Sequence, residues 1–346
     1  MSEITFLDLF CGAGGGSMGF IDAGFTPLGA LDNNGSIYET YSKNIGLEPL
    51  IRDIKDVNGY ELLNYFGYDN TDVNILVGCP PCQGFTSLKK DGSNDPRNSL
   101  IFQFLRIIDE IDPEFFVFEN VSGILFEKNI QFFDEFLSGL KKLGYFYEYN
   151  LLNAANYGVP QLRKRVVLIG TRIKRFKKKL GLPEPTHGES KQKNWVTVRE
   201  AFKGLPTLKN GEKSNIANHN AARHTKRILE MIKHIPKDGG SRTDLPKKFW
   251  LDCHLNHKGH TDVYGRLKWD EPAPTITCGC HSPSKGRFIH PEQNRGITLR
   301  ESARLQSFSD KFKFYGTKTQ CSLQIGNAFP PLLANAVANK ILEIYN

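Results

Sequence analysis

Seven cysteines in 346 residues are too few to build a disulfide scaffold, and their odd number argues against full pairing. No stretch approaches the roughly 18 consecutive apolar residues of a membrane-spanning helix. Met1-Ser2-Glu3-Ile4-Thr5-Phe6-Leu7-Asp8 offers neither a basic n-region nor a long apolar core, so no secretory signal is legible and a reducing cytoplasm is the expected compartment. Acidic residues are scarce in one region. Positions 171–290 hold 11 Asp and Glu against 25 Lys and Arg, together with all nine His, whereas the rest of the chain carries 26 acidic and 20 basic residues. A basic, His-rich module on a mildly acidic body points to a polyanionic partner, nucleic acid first.

The length fits two domains, and 39% hydrophobic with 24% charged residues reads as globular. Short apolar runs at 4–10, 27–32, 74–77, 115–118 and 166–170 read as strands. Helical spacing fills 17–23, 36–44, 99–111 and 131–143 between them. This alternation predicts an α/β fold with a doubly wound, mostly parallel sheet. From about 172 the periodicity weakens, and a smaller irregular domain is expected. Helical patterning resumes at 298–306 and 334–344. The expected division is 1–172 with 320–346 for the first domain and 173–319 for the second.

Phe10-Cys11-Gly12-Ala13-Gly14-Gly15-Gly16 joins a strand to a helix by a turn in which the backbone can approach a ligand closely. Asp32 ends the next strand, 20 residues after Gly12, where a carboxylate can accept bonds from ribose hydroxyls. A nucleoside-containing cofactor fits, with nicotinamide and flavin still open. A second loop, Gly78-Cys79-Pro80-Pro81-Cys82-Gln83-Gly84-Phe85, follows a strand, and its two prolines stiffen the approach to Cys82, a candidate nucleophile. The polar segment 84–98 can act as a lid. A redox pair or half a zinc site also fits Cys79 and Cys82, but two prolines between them are unusual for a redox pair, and Cys253, His254, His257, His260, Cys278, Cys280 and His281 match no standard finger spacing.

Glu119 closes the very apolar Phe115-Phe116-Val117-Phe118, where burial favours its protonated form. A protonated carboxyl sets a donor and an acceptor side by side, complementary to N3 and N4 of cytosine. In Gln161-Leu162-Arg163-Lys164-Arg165, strand alternation puts Gln161, Arg163 and Arg165 on one face, suited to oxygen ligands.

These motifs, followed by Arg300-Glu301-x-x-Arg304-Leu305-Gln306 and Gln324-Ile325-Gly326-Asn327-Ala328, together resemble the cytosine-5 DNA methyltransferases. The resemblance covers about 6–170 and 274–338, leaving the basic stretch where that family holds its variable target-recognition region. It implies S-adenosylmethionine as methyl donor, contacted by Phe10, Gly12, Gly14, Asp32, Asp53, Ile54, Pro81, Leu100 and Asn327. It implies catalysis by Cys82, Glu119, Arg163 and Arg165, in which the Cys82 thiolate attacks C6 of a cytosine flipped out of duplex DNA. No metal is expected. Asp32 is shorter than the family's usual Glu, and Asn33 stands where an aromatic often covers the adenine. The expected protein is a monomer that modifies a specific DNA sequence, with a cognate restriction endonuclease as a possible partner. The rival readings are a tRNA cytosine-5 methyltransferase built on the same motifs, a non-catalytic DNA-binding relative and a nicotinamide oxidoreductase.

Overall fold

In the computed structural model, which describes residues 3–81, 99–250 and 261–346, the run after Ile4 forms β1 (Thr5–Leu9). Residues 6–9 are buried on both faces, as expected of a central parallel strand. On one side β1 pairs in parallel with β2 (Thr26–Asp32), which pairs with the two-residue β3 (Leu50–Ile51). On the other side lies β4 (Ile75–Gly78), then β5 (Phe115–Val121), again in parallel. The connections therefore diverge on either side of β1, and the crevice outside the strands' carboxyl ends at such a switch point is where α/β folds bind ligands.

The parallel run stops at β5. Two further strands, β6 (Phe146–Asn153) and β8 (Lys164–Thr171), close the sheet, with β8 antiparallel to both β5 and β6. The seven strands run in the order β3-β2-β1-β4-β5-β8-β6. The mostly parallel doubly wound sheet is as expected, and β8 supplies its antiparallel exception. Helices α1 (Gly15–Asp22), α2 (Tyr38–Ile45), α3 (Gly59–Phe66), α4 (Leu100–Ile111) and α5 (Ile130–Lys142) supply the connections. The apolar stripe of α4 buries Phe104, Ile107, Ile108 and Ile111 in one core with Phe116 and Phe118. Two glycines allow close approach, one under α4 and one on α1. A Cβ on Gly78 would fall 2.3 Å from the Phe104 ring, and one on Gly19 would fall 2.4 Å from the Pro331 carbonyl oxygen, where helix Pro331–Tyr345 lies on α1.

Two compact units result. The first comprises Met1–Ala154, Lys164–Pro185 and Phe329–Asn346; the second comprises Ala155–Arg163 and Thr186–Ala328. These bounds follow packing rather than charge. The basic run after Thr171 belongs with the sheet because buried Phe176 packs on Phe115 and Tyr345.

The second unit has little regular structure: β7 (Gln161–Leu162) paired with β9 (Ala273–Pro274), short helices α6 (Val198–Phe202) and α7 (Lys226–His234), and the helices Leu299–Leu305 and Lys318–Asn327. Chain without ladders must satisfy its buried carbonyls by other means, and buried arginines do so here. Arg266 donates to the carbonyls of Ile232, Ile235, His290 and Gln293, and Arg300 to those of Ala217, Ser309 and Phe312. Arg295 grips Glu301 through two bonds, of 2.6 and 2.8 Å. Burial nevertheless pushes the Arg266 guanidinium down to about 10 and His290 down to about 4.

Candidate active site

The strand registers put most of the candidate residues along one edge of the sheet. Leu9 stands beside Leu31 and Gly78, Gly78 beside Phe118, and Val121 beside Arg165. Phe10, Asp32, Pro81 and Glu119 therefore sit at or just beyond the carboxyl ends of neighbouring strands, and Arg165 stands at the start of antiparallel β8. With strands about 4.8 Å apart, the row from β2 to β8 spans roughly 20 Å.

At the centre of the row the chain leaves β1 through two left-handed residues, Phe10 (φ 58°) and Gly12 (φ 52°), and α1 begins after a third, Gly14 (φ 91°). Asp32 holds this turn. Its Oδ2 accepts the Gly12 N–H at 2.9 Å and its Oδ1 accepts the Asn34 N–H at 2.8 Å. Burial pushes the Asp32 carboxyl up, against the lowering effect of these backbone donors. The two glycines differ. A Cβ on Gly14 would meet Ile45 at 2.9 Å and Tyr41 at 3.1 Å, whereas one on Gly12 would enter open space. A cradle lined by bare backbone beside a carboxylate suits a ribose-bearing cofactor, so these residues fit the implied donor.

Asp53 follows the end of β3 and caps a short helical turn, accepting from the Lys55 N–H at 3.0 Å. Ile54 is buried, and its carbonyl accepts from Arg106 at 2.8 Å. Leu100 opens α4 one turn ahead of Phe104, whose ring covers Gly78. Asn327 lies in the second unit, where its Oδ1 accepts from the Cys278 thiol at 2.9 Å.

Glu119 is buried in β5, and the Arg165 guanidinium holds its Oε1 at 2.9 Å from Nε. The next residue, Asn120, donates to the Pro80 carbonyl at 3.3 Å, so the Pro80-Pro81 approach is fixed beside Glu119. Cys82 and the 84–98 segment lie outside the described residues, as do Cys253, His254, His257 and His260.

Arg163 and Arg165 part company. Arg163 is buried in the second unit and donates to the carbonyls of Ile276, Gly326 and Ala328, on either side of Asn327. Gln161 joins the same hub, donating to Leu305 and Gln306 and accepting from the Ile276 N–H. Gln306 in turn donates to Ile325. Gln161 and Gln306 are legible in the sequence as motif members, but this bridging is not.

A further group went unassigned by the sequence. Asp8 is buried at the centre of β1, accepts from Ser17 on α1, and Ser17 meets the Tyr41 hydroxyl at 2.8 Å. Burial pushes the Asp8 carboxyl up to about 7 and raises the Cys11 thiol and the Tyr41 hydroxyl as well. Its one signal is a lone charge inside Phe6-Leu7-Asp8-Leu9-Phe10.

With this geometry in hand, the chain matches the family described as C-5 cytosine-specific DNA methylase over residues 4–343. It is 37% identical to the Type II methyltransferase M1.HphI of Haemophilus parahaemolyticus, covering 99% of this chain and 87% of the relative. It is 36% identical to the Type II methylase M.HgiDII of Herpetosiphon aurantiacus, covering 97% and 94%. Among solved structures, an E. coli prophage-encoded protein described as a DNA modification methyltransferase superposes with a TM-score of 0.78 at 25% identity, covering 99% of this chain and all of the other. The S. pombe Dnmt2 methyltransferase superposes at 0.60 over the full length of both chains, with 19% identity, a likeness of fold.

Proposed function

Because the chain belongs to the C-5 cytosine-specific DNA methylase family and is a DNA (cytosine-5-)-methyltransferase, we propose that it methylates C5 of one cytosine in a specific duplex sequence through a transient bond from Cys82 to C6. The observation that carries this reading is the placement of the Glu119–Arg165 pair beside the Pro80-Pro81 approach to Cys82.

C5 of cytosine is a weak nucleophile. Attack of the Cys82 thiolate at C6 forms a carbon–sulfur bond and moves electron density onto C5. In its protonated form Glu119 would donate to N3 and accept from the N4 amino group, stabilising that density, with its carboxyl oriented by Arg165. S-adenosylmethionine, when bound, supplies an electrophilic methyl group to C5. Loss of the C5 proton then restores the ring and expels the Cys82 thiolate. The reacting ring is hidden inside a duplex, so the base must leave the stack. Gly12, Gly14 and Asp32 would hold the donor's nucleoside, with Phe10, Asp53, Ile54, Pro81 and Leu100 completing its surroundings within the first unit. Arg163 fixes the backbone on either side of Asn327 within the second unit.

The second unit is proposed as the target-recognition part, on account of its basic composition. The likeness to Type II methyltransferases supports a role as the modification enzyme of a restriction–modification pair. The test is expression with a plasmid, followed by bisulfite sequencing of the plasmid to find the methylated site. A duplex carrying 5-fluorocytosine at that site then traps the enzyme, because fluorine does not leave as the C5 proton does. The adduct maps to Cys82, and Cys82→Ser abolishes both turnover and trapping. Methylation of tRNA in place of plasmid DNA, or an adduct at another cysteine, overturns the reading.

A further inference from the structure

Strand β8 runs from Arg165, beside Val121, to Thr171, beside Phe115. The chain beyond Thr171 therefore emerges at the opposite end of the strands from Arg165, about 13 Å along the sheet from the level of Glu119, which pairs with Val167, at about 3.3 Å per strand residue. There Arg172, Lys174, Arg175, Lys177, Lys178 and Lys179 fall within eight positions, all six exposed.

The cluster is anchored to the fold. Phe176, in its middle, is buried with its ring 5.4 Å from those of Phe115 and Tyr345. Lys177 Nζ lies 4.4 Å from the Phe146 ring, which fixes its stem against β6. Of the six, only Arg172 forms an ion pair among the described residues, with Asp112 at 2.9 Å. The surrounding unit has the opposite character, since residues 1–154 carry 22 acidic and 10 basic residues. The positive charge is a local cluster on an otherwise acidic unit, and apart from Arg172 its members make no ion pair among the described residues.

We propose that this edge is a second phosphate-binding surface, which takes a segment of duplex DNA separate from the one whose cytosine reaches Glu119. The proposal rests on the reading of the chain as a DNA methyltransferase. Exposed lysines on short stems of chain neutralise phosphates without reading bases. The segment must be a separate one because duplex DNA is stiff over about 150 base pairs. A duplex docked at one edge of the sheet cannot fold back to the opposite edge within a few turns. Held in this way, the enzyme touches a new stretch of DNA before it releases the old one.

The experiment loads the full-length enzyme, with S-adenosylmethionine, onto an immobilised duplex carrying its methylation site, then adds a short fluorescent duplex lacking that site. The expected result is retention of about one fluorescent duplex per enzyme, weakening steeply with salt. Release of the first duplex should also speed up as the competitor concentration rises. The combined Lys177→Gln, Lys178→Gln and Lys179→Gln variant should retain about tenfold less second duplex or lower still, with a log–log salt slope shallower by about 2.7. Its methylation rate on a short target duplex and its melting temperature should match wild type. No retention by wild type, or equal retention by the variant, as two active sites in a dimer would give, overturns the proposal. Failure of wild type to methylate the target duplex would instead strike the functional reading on which it rests.

Discussion

The guanidinium of Arg165 reaches across from β8 to the Glu119 carboxylate on β5, Nε to Oε1 at 2.9 Å, with the two side chains only 13% and 9% exposed. Removing one partner of a buried pair strands the other charge, at about 3–5 kcal/mol. Arg165→Ala should therefore lower stability by that order in denaturant titrations. It should also slow single-turnover methylation about a hundredfold, because Glu119 loses the group that orients it. Arg165→Lys keeps the charge but loses the planar fork, so it should recover most of the stability and little of the rate. Full activity in both variants would remove Arg165 from the site.

Gly12 and Gly14 should separate cofactor binding from folding. Both have left-handed backbone, so an alanine at either carries a strain cost of about 1 kcal/mol. At Gly14 the added methyl also meets Ile45 and Tyr41, whereas at Gly12 it points into open space beside Asp32. Gly14→Ala should lower the melting temperature clearly. Gly12→Ala should lower it little, yet weaken S-adenosylmethionine binding about tenfold or more by calorimetry. Equal affinity in Gly12→Ala and wild type would place the cofactor elsewhere.

Asp32 holds the Gly12 turn and is the proposed acceptor for the ribose hydroxyls. Asp32→Ala frees the Gly12 and Asn34 N–H groups and removes the acceptor, and the cofactor dissociation constant should rise about tenfold or more, near the 1.4 kcal/mol of one charge-assisted bond. Calorimetry with unchanged affinity would sink the assignment.

Asp8 gives a pH signature. Its carboxyl, ordinarily at 3.8, is raised to about 7 in the fold, so the native state keeps a proton that the unfolded chain releases. The stability this contributes is complete below 3.8 and is lost as pH rises through about 7, amounting to at most about 4 kcal/mol. Asp8→Asn cannot ionise, so the variant should gain stability relative to wild type as pH increases across this window. Denaturant unfolding at several pH values measures the difference. A difference independent of pH would mean that Asp8 does not titrate there.

The strands that carry the site were legible in the sequence because each is a buried apolar run stopped by a polar or glycine residue, as Phe115 to Glu119 and Ile75 to Gly78 illustrate. Strand β6 was not, because it is an edge strand whose Tyr149 and Leu151 stay exposed, so its pattern blurs. The short α3 was hidden between loops, although Asn58 and Glu61 form a capping box at its start. Asp32 and Glu119 could be read as site candidates from their position after apolar strands. The separate courses of Arg163 and Arg165 could not, because alternation gives a shared face but not the break between β7 and β8. The second unit was opaque for a related reason. Arg266, Arg295 and Arg300 act as buried struts for irregular chain, and a strut leaves no period.

Helix Pro331–Tyr345 lies on α1, with Asn335 bonded to the Gly19 carbonyl across 316 positions of sequence. During synthesis, α1 leaves the ribosome long before this neighbour exists. The glycine turn at its start therefore precedes in synthesis the helix that covers α1, with the whole second unit between them. Assembly of the first unit is thus timed by the arrival of a distant helix. Shortening the chain ahead of Pro331 would strip the cover from α1 rather than trim a dispensable tail.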